Sequence, residues 1–260
     1  MPMPIVTDPQ PTGPFVWTQE SWGRALRCTR LPAAHLFTSR DVMLRDDEAE
    51  WTGVAGSLGL AVDRLRLVKQ VHGIGVVTAR RGEALPVTRP EGDILITDDP
   101  SVAIGVRTAD CAAILLYDPA RNVAAAAHAG WRGTAANAAG AAVRALHDAF
   151  GSRPADVIAA IGPLLGQCCG EVGPDVVQAF HAGGADAASL GRWFAPGAGD
   201  RSFLDLERAN SDQLIAAGMD PDAIFASGLC TKTEQARLHS YRAHGQHAGR
   251  LLAAIRVAGT

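Results

Sequence analysis

Three residues of this chain combine donor types that bind or activate: His72 in "KQVHG", Cys111 in "RTADC" and His128 in "HAGWRGT". Each falls where an apolar, strand-like run gives way to a glycine-rich or polar turn. If those strands lie side by side, their ends converge and three soft ligands meet. Neutral imidazole and thiolate together suit Zn²⁺, which catalytic sites hold with three protein ligands and one open position. The intervals between the three match no compact ligand motif. A buried cysteine and two unrelated histidines account for the pattern equally well.

Their neighbours extend the chemistry. Asp110, beside Cys111, could orient an imidazole or handle a proton, although aspartate is also common in such turns. Arg132 precedes a helix start, where free N–H groups and a guanidinium together suit a phosphate. A solvated surface arginine is the alternative. Near the C-terminus, "CTKTEQARLHSYRAHGQHAGR" supplies Lys232, Arg242, His244, His247 and Arg250. Two histidines three apart on a helix could bind metal, but Gly245 and Gly249 argue against a regular helix. The adjacent Cys168 and Cys169 in "IGPLLGQCCGEVG" would chelate one ion poorly, so packing is the expected role. No phosphate-loop, dinucleotide-binding or serine-nucleophile signature is present.

The elements that must position these residues are α/β in pattern. "RLRLVKQVHG" alternates apolar and polar residues up to Gly73, and "IGVVTA", "GDILITD", "NVAAAAHAG" and "DVIAAIGP" read as strands. "VAIGVRTADCAAILLYDP" reads as two strands meeting at a polar corner. "TAANAAGAAVRALHDAFG" predicts a helix capped at Thr134 and stopped at Gly151. "GPDVVQAFHAG" and "LDLERANSDQLIAAGM" predict two more. Between them "GGADAASLGRWFAPGAGDRS" reads as a long small-residue loop of the kind that covers a site. "DAIFASG" and "GRLLAAIRVA" are late strands. Residues 1–14, with five prolines, read as a flexible arm. Residues 15–260 read as a single domain with a mixed β-sheet flanked by helices.

At 260 residues the chain can bury one large core, and its 47% hydrophobic and 20% charged fractions are ordinary for a soluble protein. A formal net charge of −3 gives no electrostatic case for nucleic acid or an anionic membrane. Only Lys69 and Lys232 are lysines among the 24 basic residues, and arginine suits bidentate phosphate contacts. Five cysteines, an odd number, make a poor disulfide framework. With no signal-peptide pattern and no long apolar stretch, the expected location is cytoplasmic.

"KQVHG", "GDILITD", "RTADCAAILL", "HAGWRGT", "IGPLLGQCCGEVG" and "SYRAHGQHAGR", in this order, resemble the YfiH-like family. That family was long labelled multicopper polyphenol oxidase or laccase and is now described as purine nucleoside phosphorylase. The resemblance covers Leu67 to Val257. It implies an α/β/α-type fold, similar to cytotoxic necrotizing factor catalytic domains, and a zinc site with ligands at His72, Cys111 and His128. It also implies phosphorolysis of adenosine, inosine, guanosine and methylthioadenosine, with adenosine deamination. The chain departs from the family pattern in three places. A glycine-rich segment is compressed to "TSRDVMLRDDEAEWTGVAGSLGL", and Arg40 in "FTSR" stands for the family's N-terminal arginine. Gly170 and His239 replace aromatics.

On this reading Arg132, with Arg40 or Arg242, holds phosphate, Asp110 handles the proton, and Cys111 is a metal ligand at the catalytic centre. Purine nucleosides and phosphate are the expected partners of a monomer or small homo-oligomer. Three rivals use the same residues. A metal-free cysteine hydrolase would use Cys111 as nucleophile and His128 or His72 as base. A copper-dependent polyphenol oxidase would need clustered histidine pairs, and the chain's eight histidines are mostly scattered. A nucleoside-sensing protein would bind without turnover.

Overall fold

Alternate residues of the strand Ala112–Asp118 face two different cores. Ala112, Ile114 and Leu116 pack with helical residues such as Val143, Leu146 and Phe180. Ala113, Leu115 and Tyr117 pack with Leu26, Phe37, Ile104 and Ile255 of other strands. Both sides of this strand are therefore buried, which explains its nearly unbroken apolar sequence. The computed structural model describes residues 8–83 and 88–259.

Two six-stranded mixed sheets stack face to face. The inner order of one is Ile224–Ala226, Ile158–Ile161, Ala112–Asp118, Val123–Ala129, Ile94–Thr97 and Val76–Ala79. Its two outermost pairs are parallel and its three inner pairs antiparallel. The other runs Phe15–Glu20, Gly23–Cys28, Ala34–Thr38, Leu251–Arg256, Ala103–Thr108 and Leu65–Arg66. The helices Ala138–Phe150, Pro174–Ala182 and Leu206–Ala216 cover the outer face of the first sheet. The helix Glu48–Gly56 covers the outer face of the second through Val54. The fold is thus mixed α/β with helices outside, and its strands are divided between these two large sheets and a small three-stranded one built from Glu171–Val172, Ser202–Leu204 and Phe194–Pro196. The alanines of Val123–Ala129 suit this central position: Ala124 and Ala126 lie toward the second sheet, Ala125, Ala127 and Ala129 toward the helices.

Several local expectations change. "RLRLVKQVHG" contributes only the short strand Leu65–Arg66, after which Lys69 makes a single bridge to Glu91. The expected single helix after His128 is two, Trp131–Ala135 and Ala138–Phe150. The cap of the second is Asn137, left-handed at φ 63°, whose side chain accepts the Gly140 N–H. Thr134 is buried instead, and exchanges hydrogen bonds with Asn210. Gly151 ends the helix as predicted, left-handed at φ 66°. The presumed loop between the later helices holds the helix Ala187–Trp193 and the strands Phe194–Pro196 and Ser202–Leu204. Asp186 caps that helix, and Trp193 anchors it in the core. Of the expected arm, residues 1–7 lie outside the described residues. Residues 8–14 are tied down: Asp8 pairs with Arg24, and Thr12 donates its backbone and hydroxyl to Ser227 and Ala226.

Candidate metal centre and its cavity

His72, Cys111 and His128 meet. One donor atom from each lies within 4.8 Å of the others, and the two imidazoles stand 4.9 Å apart at 75°. His128 ends the central strand Val123–Ala129, Cys111 sits just before Ala112 of the neighbouring strand, and His72 comes from the loop beyond Lys69. The register pairs Ala112 with Ala129, so Cys111 and Gly130 are neighbours across the strand ends. A Cβ at Gly130 would lie 2.7 Å from the Cys111 sulfur and 3.2 Å from the His72 ring. The glycine of "HAGWRG" is therefore a space requirement of the cluster.

Asp93, which in the sequence stands only as the polar start of the strand-like run "GDILITD", organises the centre. It is fully buried. Its Oδ1 accepts from the His128 Nδ1–H at 2.8 Å, which leaves the His128 Nε2 free for an ion. The same carboxylate accepts the backbone N–H groups of Val71, His72 and Gly73. His72 is held at φ 64°, a left-handed conformation uncommon for a residue with a side chain. No local pattern marks Asp93; the partners of its carboxylate lie twenty or more residues away in either direction.

The electrostatics agree with the geometry. Burial pushes the Cys111 thiol up, but the His128 and His72 imidazoles outweigh it and hold the thiol at about 7. Burial pushes His128 down, while Asp93 and Cys111 raise it to about 9. Burial likewise opposes ionisation of Asp93, and its bond from His128 with the loop N–H groups keeps it below the ordinary carboxylate value. Two imidazoles, one readily ionised thiol and a carboxylate behind one imidazole form a donor set that suits zinc, and copper also accepts it.

The centre opens into a cavity of about 580 Å³, within the range of small-molecule sites. Asp110 is the one carboxylate among its described lining residues, and lies at φ 93°. Its two oxygens accept from the Thr231 hydroxyl and the Arg242 backbone N–H, each at 2.6 Å. Cations line the cavity as well: Lys69, Arg107, Arg242 and Arg250. Gln70 exchanges two hydrogen bonds of 2.8 Å with the Arg107 backbone, tying the His72 loop to the end of Ala103–Thr108. Burial, then the charges of Arg89 and Arg250, bring the Arg107 guanidinium below its ordinary value. Trp131 and Tyr241 supply aromatic faces.

Not all the expected phosphate residues reach this cavity. Arg242 does, with its guanidinium braced by the Cys169 and Glu171 carbonyls. Arg132 is exposed and stacks over the Trp131 ring at 4.1 Å, outside the lining. Arg40 is also exposed and bonds the Gln235 carbonyl. Arg107 was absent from the expected set, although it opens the "RTADC" motif. Gly170 lines the cavity, and a Cβ there would lie 2.6 Å from the Leu204 carbonyl oxygen, so this backbone position excludes an aromatic. His239 is buried, bonded to the Val42 carbonyl, and lies outside the lining.

The vicinal cysteines depart from the expected packing role. Cys168 is exposed and Cys169 half-buried, and both gather with Cys230 in a second soft-donor cluster within 4.8 Å. Burial and the neighbouring thiols push Cys168 up to about 12. Burial also opposes ionisation of Cys230, but the N–H groups of Thr233, Gly166 and Lys232, with the Cys168 thiol, bring it below its ordinary value. Among the described residues, no helix is long and apolar enough to cross a membrane.

Comparison with known proteins adds names to this geometry. The family model described as multi-copper polyphenol oxidoreductase laccase matches residues 46–258. A purine nucleoside phosphorylase of Deinococcus radiodurans is 38% identical over 205 residues, covering 78% of this chain and 74% of that one. A protein named adenosine deaminase RL5, from an unknown prokaryotic organism, is 35% identical over 221 residues, covering 83% of each chain. The crystal structure of the Bacillus licheniformis hypothetical protein YfiH superposes with a TM-score of 0.85 at 25% identity, over 95% of this chain and 100% of that one.

Proposed function

We propose that this chain, which belongs to the family described as multi-copper polyphenol oxidoreductase laccase, is a purine nucleoside phosphorylase that also deaminates adenosine. The observation that carries this reading is one cavity joining His72, Cys111 and His128 to several cations, one carboxylate and two aromatic faces. Relatives named purine nucleoside phosphorylase and adenosine deaminase support it. Adenosine, inosine, guanosine and methylthioadenosine are the proposed nucleosides.

His72, Cys111 and His128 would hold a zinc ion. The chemistry such an ion supplies is Lewis acidity toward an oxygen donor, phosphate in phosphorolysis or water in deamination. The chain's own residues do the rest. Arg242, with Arg107 and Arg250 of the same cavity, binds and orients phosphate against C1′ of the ribose. As the phosphate oxygen forms its bond to C1′, the C1′–N9 bond breaks and positive charge develops on the sugar. Asp110 is the carboxylate available to offset that charge or to pass a proton to the departing purine. Its oxygens keep lone pairs beyond the two bonds they already accept. Trp131 or Tyr241 stacks the base.

The test is turnover of adenosine by metal-analysed protein, with and without phosphate, beside Cys111→Ala. The reading expects adenine only when phosphate is present, inosine in either case, bound zinc, and loss of all three in the variant. Zinc-loaded protein that yields neither adenine nor inosine would overturn it.

A further inference from the structure

We propose that Cys168, Cys169 and Cys230 form a second metal site, separate from the His72 centre, that takes a cuprous ion. The three thiols come from two segments that the fold brings together. The turn Gln167–Cys169 carries two of them, and Cys230 lies beside it because Leu164 and Cys230 make a parallel bridge. The Thr231 N–H to Leu164 carbonyl bond, at 2.8 Å, holds the same junction. Gly166 permits the approach: a Cβ there would lie 3.4 Å from the Cys230 sulfur and 3.5 Å from that of Cys168.

The separations fit an ion. All three sulfurs lie within 4.8 Å of one another, and those of Cys168 and Cys169 are 3.6 Å apart. Three sulfurs bound to one metal at about 2.3 Å stand about 3.8–4.0 Å from each other, so only small side-chain rotations are needed. The cysteines are free thiols. Three thiolates at this spacing repel one another unless a cation lies among them.

The donor set selects the cation. Thiolates prefer soft metals, Cu(I) and Zn(II) foremost. Structural zinc is normally closed by four protein ligands, and among the described residues no histidine, aspartate, glutamate or further cysteine joins this cluster. Three sulfurs satisfy trigonal Cu(I) without a fourth donor. The exposure of Cys168 gives the ion a way in, while the burial of Cys230 shields the bound state from water.

The experiment is an anaerobic titration of the reduced, chelator-stripped, full-length protein with Cu(I) against a chromogenic cuprous chelator. A His72→Ala/Cys111→Ala variant removes the first centre, and adding Cys168→Ser tests the second. Cys168 is exposed, so its serine variant is expected to fold, which circular dichroism checks. The double variant is expected to retain a single equivalent of Cu(I) in all-sulfur coordination by X-ray absorption. Adding Cys168→Ser is expected to weaken retention by more than the roughly 10–100-fold typical of losing only an outer partner of a ligand. The proposal is overturned if the double variant retains no Cu(I), if Cys168→Ser leaves retention unchanged, or if the cluster keeps Zn(II) in preference to Cu(I).

Discussion

Asp93 and His128 are joined by a buried 2.8 Å hydrogen bond from imidazole Nδ1–H to carboxylate Oδ1, and the same oxygen accepts the His72 backbone N–H at 3.0 Å. One carboxylate thus orients two of the three candidate metal donors, one through its ring and the other through its backbone. Asp93→Asn would turn an amide N–H₂ toward groups that are themselves donors. Zinc affinity is expected to fall about 10–100-fold, as for other outer partners of metal-binding histidines. Stability should fall by about 1–3 kcal/mol, because buried N–H groups lose their acceptor. Chelator competition and denaturant unfolding measure the two effects. Unchanged zinc affinity would show that Asp93 does not position the centre.

Removing the metal should leave Cys111 as the chain's readily alkylated thiol. Imidazoles hold it at about 7 despite burial, so roughly half is thiolate near neutrality. Iodoacetamide labelling at Cys111, followed by peptide mass spectrometry, should rise through pH 7 and level off above it. Added zinc should suppress the labelling. His128→Gln removes the largest opposing influence and should move the midpoint up toward the ordinary value of about 8.5. A wild-type midpoint already there would contradict this account of the cluster.

The cavity makes a distinction among arginines that the sequence could not. Arg242 lines it, whereas Arg132, stacked on the Trp131 ring, and Arg40, bonded to the Gln235 carbonyl, are outside its lining. Arg242→Met should raise the KM for phosphate about 10–100-fold, the worth of one or two charge-assisted hydrogen bonds. Arg132→Met and Arg40→Met should change it by less than about threefold, because neither side chain lines the cavity and such charges contribute little at a distance. Steady-state phosphate dependence at saturating nucleoside decides the matter. A large effect at Arg132 with none at Arg242 would reverse the assignment.

The meeting of His72, Cys111 and His128 was legible because each ends an apolar run, and strand ends converge when strands pair. Asp93 was not, since its role arises from a loop and a strand end remote in sequence, while its own surroundings read only as a strand. The same limit hid the three-cysteine cluster: Cys168 and Cys169 look like a poor chelating pair until the Leu164 bridge brings up Cys230. Apolar runs revealed the central strands, but the alternating "RLRLVKQVHG" yielded only Leu65–Arg66, Phe15–Glu20, Gly23–Cys28 and Ala34–Thr38 went unread, and no pattern could assign strands to one sheet or two. A strand such as Ala112–Asp118, apolar on both faces, is equally consistent with helices or a second sheet on its far side. In "GGADAASLGRWFAPGAGDRS" the small residues suggested a loop, but Asp186 and Trp193 were the informative ones, a cap and a core anchor for a short helix.

Acid sensitivity should reside partly in His35, far in sequence from the metal donors. The ring is buried and neutral, with Nε2 accepting the Cys28 N–H at 2.9 Å and Nδ1–H donating to the Ala33 carbonyl at 2.7 Å. Protonation would destroy the first bond and place a charge in the core, and burial accordingly lowers its pKa to about 4. In the unfolded chain the value returns to about 6.5, so between these limits the unfolded state binds more protons. Stability is therefore full above about pH 6.5 and declines as pH falls toward 4, by about 3 kcal/mol in all. Urea unfolding of chelator-treated protein across this range separates the effect from metal release. In His35→Gln, which keeps an acceptor for Cys28 but does not titrate, the decline should shrink by about 2–3 kcal/mol. Identical slopes in the two proteins would mean that other groups carry the acid response.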